Sequence, residues 1–153
     1  MAGTVVGIFT APSGGTPTVA RDQVRAVADR GLEGDRYFDS NAGDHDPADE
    51  ITLIAAESLT WARTEHDVTL EPGEHRRNIV IEGLDLLALV EQTVEVGDVV
   101  VEVMADNPPC KYLQELTGKP VLAALRQRGG VRGRIVSSGT IRVGDAVQPA
   151  AAD

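Results

Sequence analysis

The chain's single cysteine stands in NPPCKYLQEL, residues 107–116, directly behind two prolines. Proline fixes its own φ and keeps the residue before it out of the helical region, so Pro108 and Pro109 make a rigid, extended approach to Cys110. The apolar spacing that follows predicts a short helix over 111–116, with Cys110 at or beside its cap. Helix-start N–H groups and a neighbouring lysine, here Lys111, are surroundings in which cysteine works as a thiolate. A thiolate serves as a metal ligand, a sulfur carrier or a nucleophile. A free cysteine is also often a small buried hydrophobe, and the spacing leaves that reading open.

Three more stretches carry polar groups suited to a site. In GEHRRNIVIEG, residues 73–83, Arg76, Arg77 and Asn78 stand at the mouth of an apolar strand. Arginine there can fork a phosphate, and asparagine offers a donor and an acceptor. The same residues also suit a solvated strand end paired with acids. GLEGDRY, residues 31–37, sets Gly31 and Gly34 around Asp35 and Arg36, where glycine amides can cradle an anion or simply turn the chain. The histidines, His45, His66 and His75, show no metal-ligand spacing, and a four-ligand zinc site would need all three plus Cys110. Asp44, Asp46, Asp49 and Glu50 form an acidic cluster without the EF-hand spacing.

Positioning these groups falls to short strands. Val5–Phe9, Ile51–Ile54, Arg77–Glu82 and Val131–Val136 read as strands, with 18–27 extended around a turn at Asp22-Gln23. VEVGDVVVEV (94–103) and IRVGDAV (141–147) each predict a hairpin turning at Gly-Asp. Helical spacing marks 55–66, 84–90, 111–116 and 120–128, with Leu113 and Leu116 on one face and Val121, Leu122 and Leu125 on another. Residues 30–50 read as a long loop, and the tail from Pro149 as frayed. About eight short strands with a few short helices predict a mainly β (α+β) barrel or sandwich. One domain over 1–153 is expected, ordered over about 5–147.

The totals narrow the function classes. The formal charge is -10, and no basic run exceeds Arg76-Arg77, which argues against nucleic-acid and anionic-membrane binding. Twelve of the fourteen basic residues are arginines, the side chain suited to bidentate anion contacts. One cysteine makes no internal disulfide, and MAGTVVGIFTAP shows no secretory leader, so a cytoplasmic protein is expected. No stretch is apolar for long enough to span a bilayer.

In order, GLEGDRY, RRNIVIEGLDLLAL, VGDVVVEV, NPPCKYL and GVRGRIVSSGTIRVGDAV resemble the molybdenum-cofactor sulfurase C-terminal (MOSC) domain over nearly the whole chain. The resemblance implies a MOSC-like β-barrel with a few short helices. It also implies a molybdenum cofactor (molybdopterin) site in which Cys110 ligates molybdenum or carries a persulfide. Arg77 and Asn78 would grip the cofactor's phosphate and pterin, Asp35 and Arg36 would belong to the glycine-flanked loop, and Arg132 in GVRGR is a further candidate. Arg76 is available as a third inward arginine. Tyr37 stands where many relatives carry a histidine. The chain resembles a stand-alone short form, with no room for a pyridoxal-phosphate or iron–sulfur site. A separate sulfur donor or an electron-donor reductase would then act with it, as relatives do on N-hydroxylated substrates. Two other classes remain: a cysteine-nucleophile hydrolase or transferase pairing Cys110 with His45 or His75, and a non-catalytic module binding an anion or a protein partner.

Overall fold

The structure is a computed structural model that describes residues 2–38 and 46–150; His45 and Asp44 lie outside these. Eleven strands occur among the described residues: β1 (Gly3–Thr10), β2 (Val19–Ala20), β3 (Gln23–Val27), β4 (Gly31–Leu32), β5 (Ile51–Ala55), β6 (Ile79–Glu82), β7 (Thr93–Val96), β8 (Val99–Asp106), β9 (Val131–Ser137), β10 (Gly139–Arg142) and β11 (Ala146–Pro149). The large sheet runs β11-β7-β8-β9-β5-β6-β1-β2, and β11 also pairs with β1. That pairing closes seven strands into a barrel and removes its open edges. A smaller sheet, β10-β3-β4, packs against β8 and β9.

Valine-rich alternation builds the wall. β8 and β9 both begin with alternating buried and half-buried positions, as strands with one face inward must. Their inward residues, among them Val101, Val103, Val131 and Ile135, join a barrel core made of Val, Ile, Leu and Ala. β6 instead buries three consecutive residues, because the helix α1 (Ala56–His66) covers its outer face. That helix is the crossover that the parallel pair β5–β6 requires.

Two further helices, α2 (Lys111–Thr117) and α3 (Val121–Ala124), share a second apolar cluster with α1, built from Ala62, Val68, Leu113, Val121, Ala124 and Leu125. Burying a leucine such as Leu113 is worth about 2 kcal/mol. It fixes the helix that follows Cys110.

Several sequence expectations change. Gly97-Asp98 does turn the β7–β8 hairpin, but Gly144-Asp145 does not make one. β10 pairs with β3 and β11 with β7 and β1, so the second Gly-Asp switches the chain between sheets. Its surroundings decide this: Val143 N–H donates to Asp22 and Gly144 N–H to Val5, both non-local carbonyls. α3 stops at Ala124 and continues as turns. Leu116 and Leu122 are exposed, and the buried faces carry Leu113, Val121 and Leu125. Gly31–Leu32 pairs with β3 instead of lying in open loop. Pro149 pairs with Val94, and Ala150 N–H donates to Thr93, so these two residues are held in the sheet where fraying was expected.

Candidate functional site

The register puts Ile8, Leu53, Ile79, Val131 and Asp106 at one level of the barrel. β1 and β8 end there, and β6 and β9 begin. A cleft of about 310 Å³ opens at this end, at the small end of the usual range for ligand sites. Asp35, Arg36, Arg76, Arg77, Asn78 and Cys110 all line it, although 75 residues separate the first from the last.

Cys110 caps α2 in an extended conformation. Its Sγ accepts the Leu113 N–H at 3.4 Å, and its carbonyl accepts the Gln114 N–H at 3.1 Å. The residue is exposed and faces the cleft. The buried-hydrophobe alternative is therefore not what this thiol became. Pro108 and Pro109 bring the chain to it from the end of β8.

Arg77 is buried to 7% exposure directly behind that segment. Its Nε donates to Gly129 O at 2.8 Å, Nη1 to His75 O at 3.3 Å, and Nη2 to Asn107 O at 2.7 Å and Pro108 O at 3.2 Å. Burial pushes its pKa down to about 10, opposed by its attraction to a negative Cys110 sulfur. The guanidinium thus holds backbone carbonyls around the cysteine; four of its contacts are already to protein.

Asn78 is engaged just as fully. Its Oδ1 accepts from Thr52 N–H and Thr52 Oγ1, each at 3.0 Å. Its Nδ2 donates to Phe9 O at 3.1 Å and Asp35 Oδ1 at 3.4 Å. Asp35 Oδ1 also accepts the Ala11 N–H at 2.9 Å. Asp35 and Asn78 thereby tie β1, β5, β6 and the loop after β4 together at the cleft floor.

Arg36 and Arg76 differ. Arg36 stacks on Tyr37, 4.5 Å from the ring centre, and donates to the Tyr37 hydroxyl at 3.3 Å. Arg76 lines the cleft with a left-handed φ of 64°, and its Nη1 donates to Thr16 O. Its Nη2 is the one buried side-chain donor among the described residues without a partner. Burial, then repulsion from Arg36, lowers the Arg76 pKa. Two guanidinium groups near enough to repel, one with an unmet buried donor, are the kind of arrangement that an anion would relieve.

The remaining candidates fall elsewhere. Arg132 does not line the cleft; it pairs with Asp49 at 3.5 Å and Asp46 at 3.7 Å. Glu50 is buried and accepts the Ile135 N–H, and no metal-binding group of three or more His, Cys, Asp or Glu occurs among the described residues. His75 lies buried behind Arg77, and its Nδ1 accepts the Arg77 N–H at 2.9 Å. Burial and the Arg77 charge push its pKa down to about 3, so it is neutral. Among the described residues no histidine lines the cleft.

The cleft also contains residues that sequence reasoning missed. Gly14 and Gly15 line it from the loop after β1, and Thr52, Tyr112 and Leu113 line it too. The glycine pair in APSGGTP was a usable signal, of the same kind as Gly31 and Gly34. Tyr112, two residues beyond Cys110 and 53% exposed, carried none.

Among the described residues no helix is long and apolar enough to cross a membrane. No curated protein matches the sequence. Solved structures do match in fold. The YuaD protein of Bacillus subtilis superposes with a TM-score of 0.83 at 17% identity, covering 100% of this chain and 98% of that one. YiiM from Escherichia coli gives 0.70 at 17% identity, with coverages of 100% and 71%, and YiiM from Geobacillus stearothermophilus 0.70 at 15%, with 97% and 75%. The MOSC domain family model matches residues 40–148, well over half of the sequence, and the chain belongs to the MOSC domain family.

Proposed function

We propose that the cleft binds the molybdenum cofactor, with the Cys110 sulfur on its metal side and Arg36 and Arg76 on its anionic side. The carrying observation is the convergence of an exposed thiol with two mutually repelling guanidinium groups, one of which keeps an unmet buried donor. The donor set suits the group: a soft metal favours thiolate, and phosphate favours arginine. When bound, the cofactor supplies the metal and its own dithiolene sulfurs, so one protein sulfur is sufficient.

The chain's own residues then have distinct tasks. Cys110 offers the sulfur at a fixed place. Arg36 and Arg76 neutralise the ligand's charge. Asp35 and Asn78 hold the floor in shape. His75 lies buried behind Arg77 and does not line the cleft, which speaks against a hydrolase that pairs Cys110 with His75.

The protein acts either as a cofactor sulfur carrier or as a molybdenum-dependent reductase component for N-hydroxylated substrates, served by a separate sulfur or electron donor. Metal analysis tests the shared premise. Protein from a cofactor-competent host is expected to carry about one molybdenum per chain, and Cys110→Ala to lose it. Equal absence of molybdenum from both forms defeats the proposal. Cyanide-labile sulfur on Cys110 would identify the carrier; reduction of an N-hydroxylated compound with a donor protein present would identify the reductase component.

A further inference from the structure

Arg77 lines the cleft, but all three of its guanidinium nitrogens are engaged by backbone carbonyls. It contacts the carbonyls of Asn107 and Pro108 on one side and of Gly129 and His75 on the other. We infer that Arg77 is the positioning residue for Cys110: it clamps the 107–110 segment to the turn at Gly129 and sets a positive charge behind the sulfur. The inference needs only that Cys110 is the reactive group; it depends on the proposed function solely for what that sulfur meets.

Three observations support the clamp. First, a planar fork with donors on all three nitrogens can hold four carbonyls at once, which a lysine cannot do. Second, the two sides approach so closely that only glycine fits. A Cβ at Gly129 would overlap the Asn107 carbonyl oxygen and lie 2.9 Å from the Pro109 nitrogen. On the same turn, Gly130 O accepts the Asn107 N–H at 2.8 Å. Third, Arg77 is itself held. The buried, neutral His75 accepts its backbone N–H, and Phe9 packs edge-on against the imidazole at 5.4 Å between ring centres.

The prolines and the clamp do complementary work. Pro108 and Pro109 restrict the segment's own dihedrals. They cannot fix where the rigid segment sits in the molecule. Arg77 supplies that anchor by gripping the two carbonyls just before Pro109. Downstream, burial of Leu113 in the helical cluster fixes the other flank. Cys110 is thus held between two anchors, with its Sγ accepting the Leu113 N–H.

Amide exchange and thiol alkylation on the ligand-free protein test this, and both can be read whether or not molybdenum binds. In Arg77→Lys, exchange at Asn107, Leu113 and Gln114 is expected to quicken about tenfold or more, while Val80 and Ile81 in β6 keep their rates. Gly129→Ala, which leaves Arg77 intact but forces the two sides apart, is expected to do the same and serves if the arginine variant folds poorly. The alkylation readout would not respond to loosening alone. The rate ratio of anionic iodoacetate to neutral iodoacetamide at Cys110 is expected to fall about fivefold in Arg77→Met but to stay within about twofold in Arg77→Lys. Wild-type exchange at the three amides in both Arg77→Lys and Gly129→Ala would overturn the clamp. An unchanged ratio in Arg77→Met would overturn the charge.

Discussion

Arg76 and Arg77 are neighbours in sequence and line the same cleft, yet they belong to different kinds of wall. On the Arg77 side, with Asn78 and Asp35, the side-chain groups are met by protein: carbonyls of Phe9, Asn107, Pro108 and Gly129, N–H groups of Ala11 and Thr52. On the Arg76 side, with Arg36, like charges repel and one buried N–H has no acceptor. The first wall is closed and keeps its shape unaided. The second leaves a buried donor unmet by protein, which the proposed function assigns to an anion. A satisfied polar network specifies geometry, and an unmet donor in a cleft indicates where a ligand's charge belongs.

Stability measurements can break that comparison. The largest loss is expected for Asn78→Leu, which removes the side-chain acceptor of the Thr52 N–H and hydroxyl and the side-chain donor to Phe9 O in a buried site; about 3 kcal/mol should be lost in urea denaturation. A loss under about 1 kcal/mol would mean that the closed wall is not what holds this end of the barrel.

The His75 layer behind that wall should appear as pH dependence. Its folded pKa, about 3, lies below the ordinary value of 6.5, so between those values the unfolded chain binds more protons than the folded one. Stability should therefore fall as pH drops through that window, by roughly 1 kcal/mol per pH unit from this residue. His75→Gln should flatten that slope in denaturation series at successive pH values. An unchanged slope would remove His75 as its source.

The smallest stability effect belongs to the open wall. Arg76→Gln should stay within about 0.5 kcal/mol of wild type, while its affinity for inorganic phosphate falls about fivefold or more by calorimetry. Equal phosphate affinity in the two proteins would leave the open wall without its assigned ligand chemistry.

The contrast also marks what the sequence could reveal. The β7–β8 hairpin was legible because Gly97-Asp98 and its alternating flanks are local. Gly144-Asp145 carries the same local pattern, but Asp22 and Val5 recruit its amides from far along the chain, and nothing near the turn announces them. At the site, residue types sufficed to single out Cys110, Arg36, Arg76, Arg77 and Asn78. What each contacts was not legible. Arg77 meets carbonyls 30 and 52 residues away, and backbone carbonyls leave no residue-type signature. The resemblance pointed to Arg77 and Asn78 for grip on the ligand, whereas the unmet donor is on Arg76. Arg132, a further candidate that the resemblance supplied, instead pairs with Asp46 and Asp49, a pairing that the sequence reading did not foresee.

Anomalous diffraction at the molybdenum edge, on crystals of protein purified from a cofactor-competent host, tests the central claim most directly. The account predicts one peak, inside the cleft and bonded to the Cys110 sulfur, with the ligand's anionic groups against Arg36 and Arg76. A peak at any other place, or molybdenum-replete crystals whose peak persists in Cys110→Ala, would contradict it.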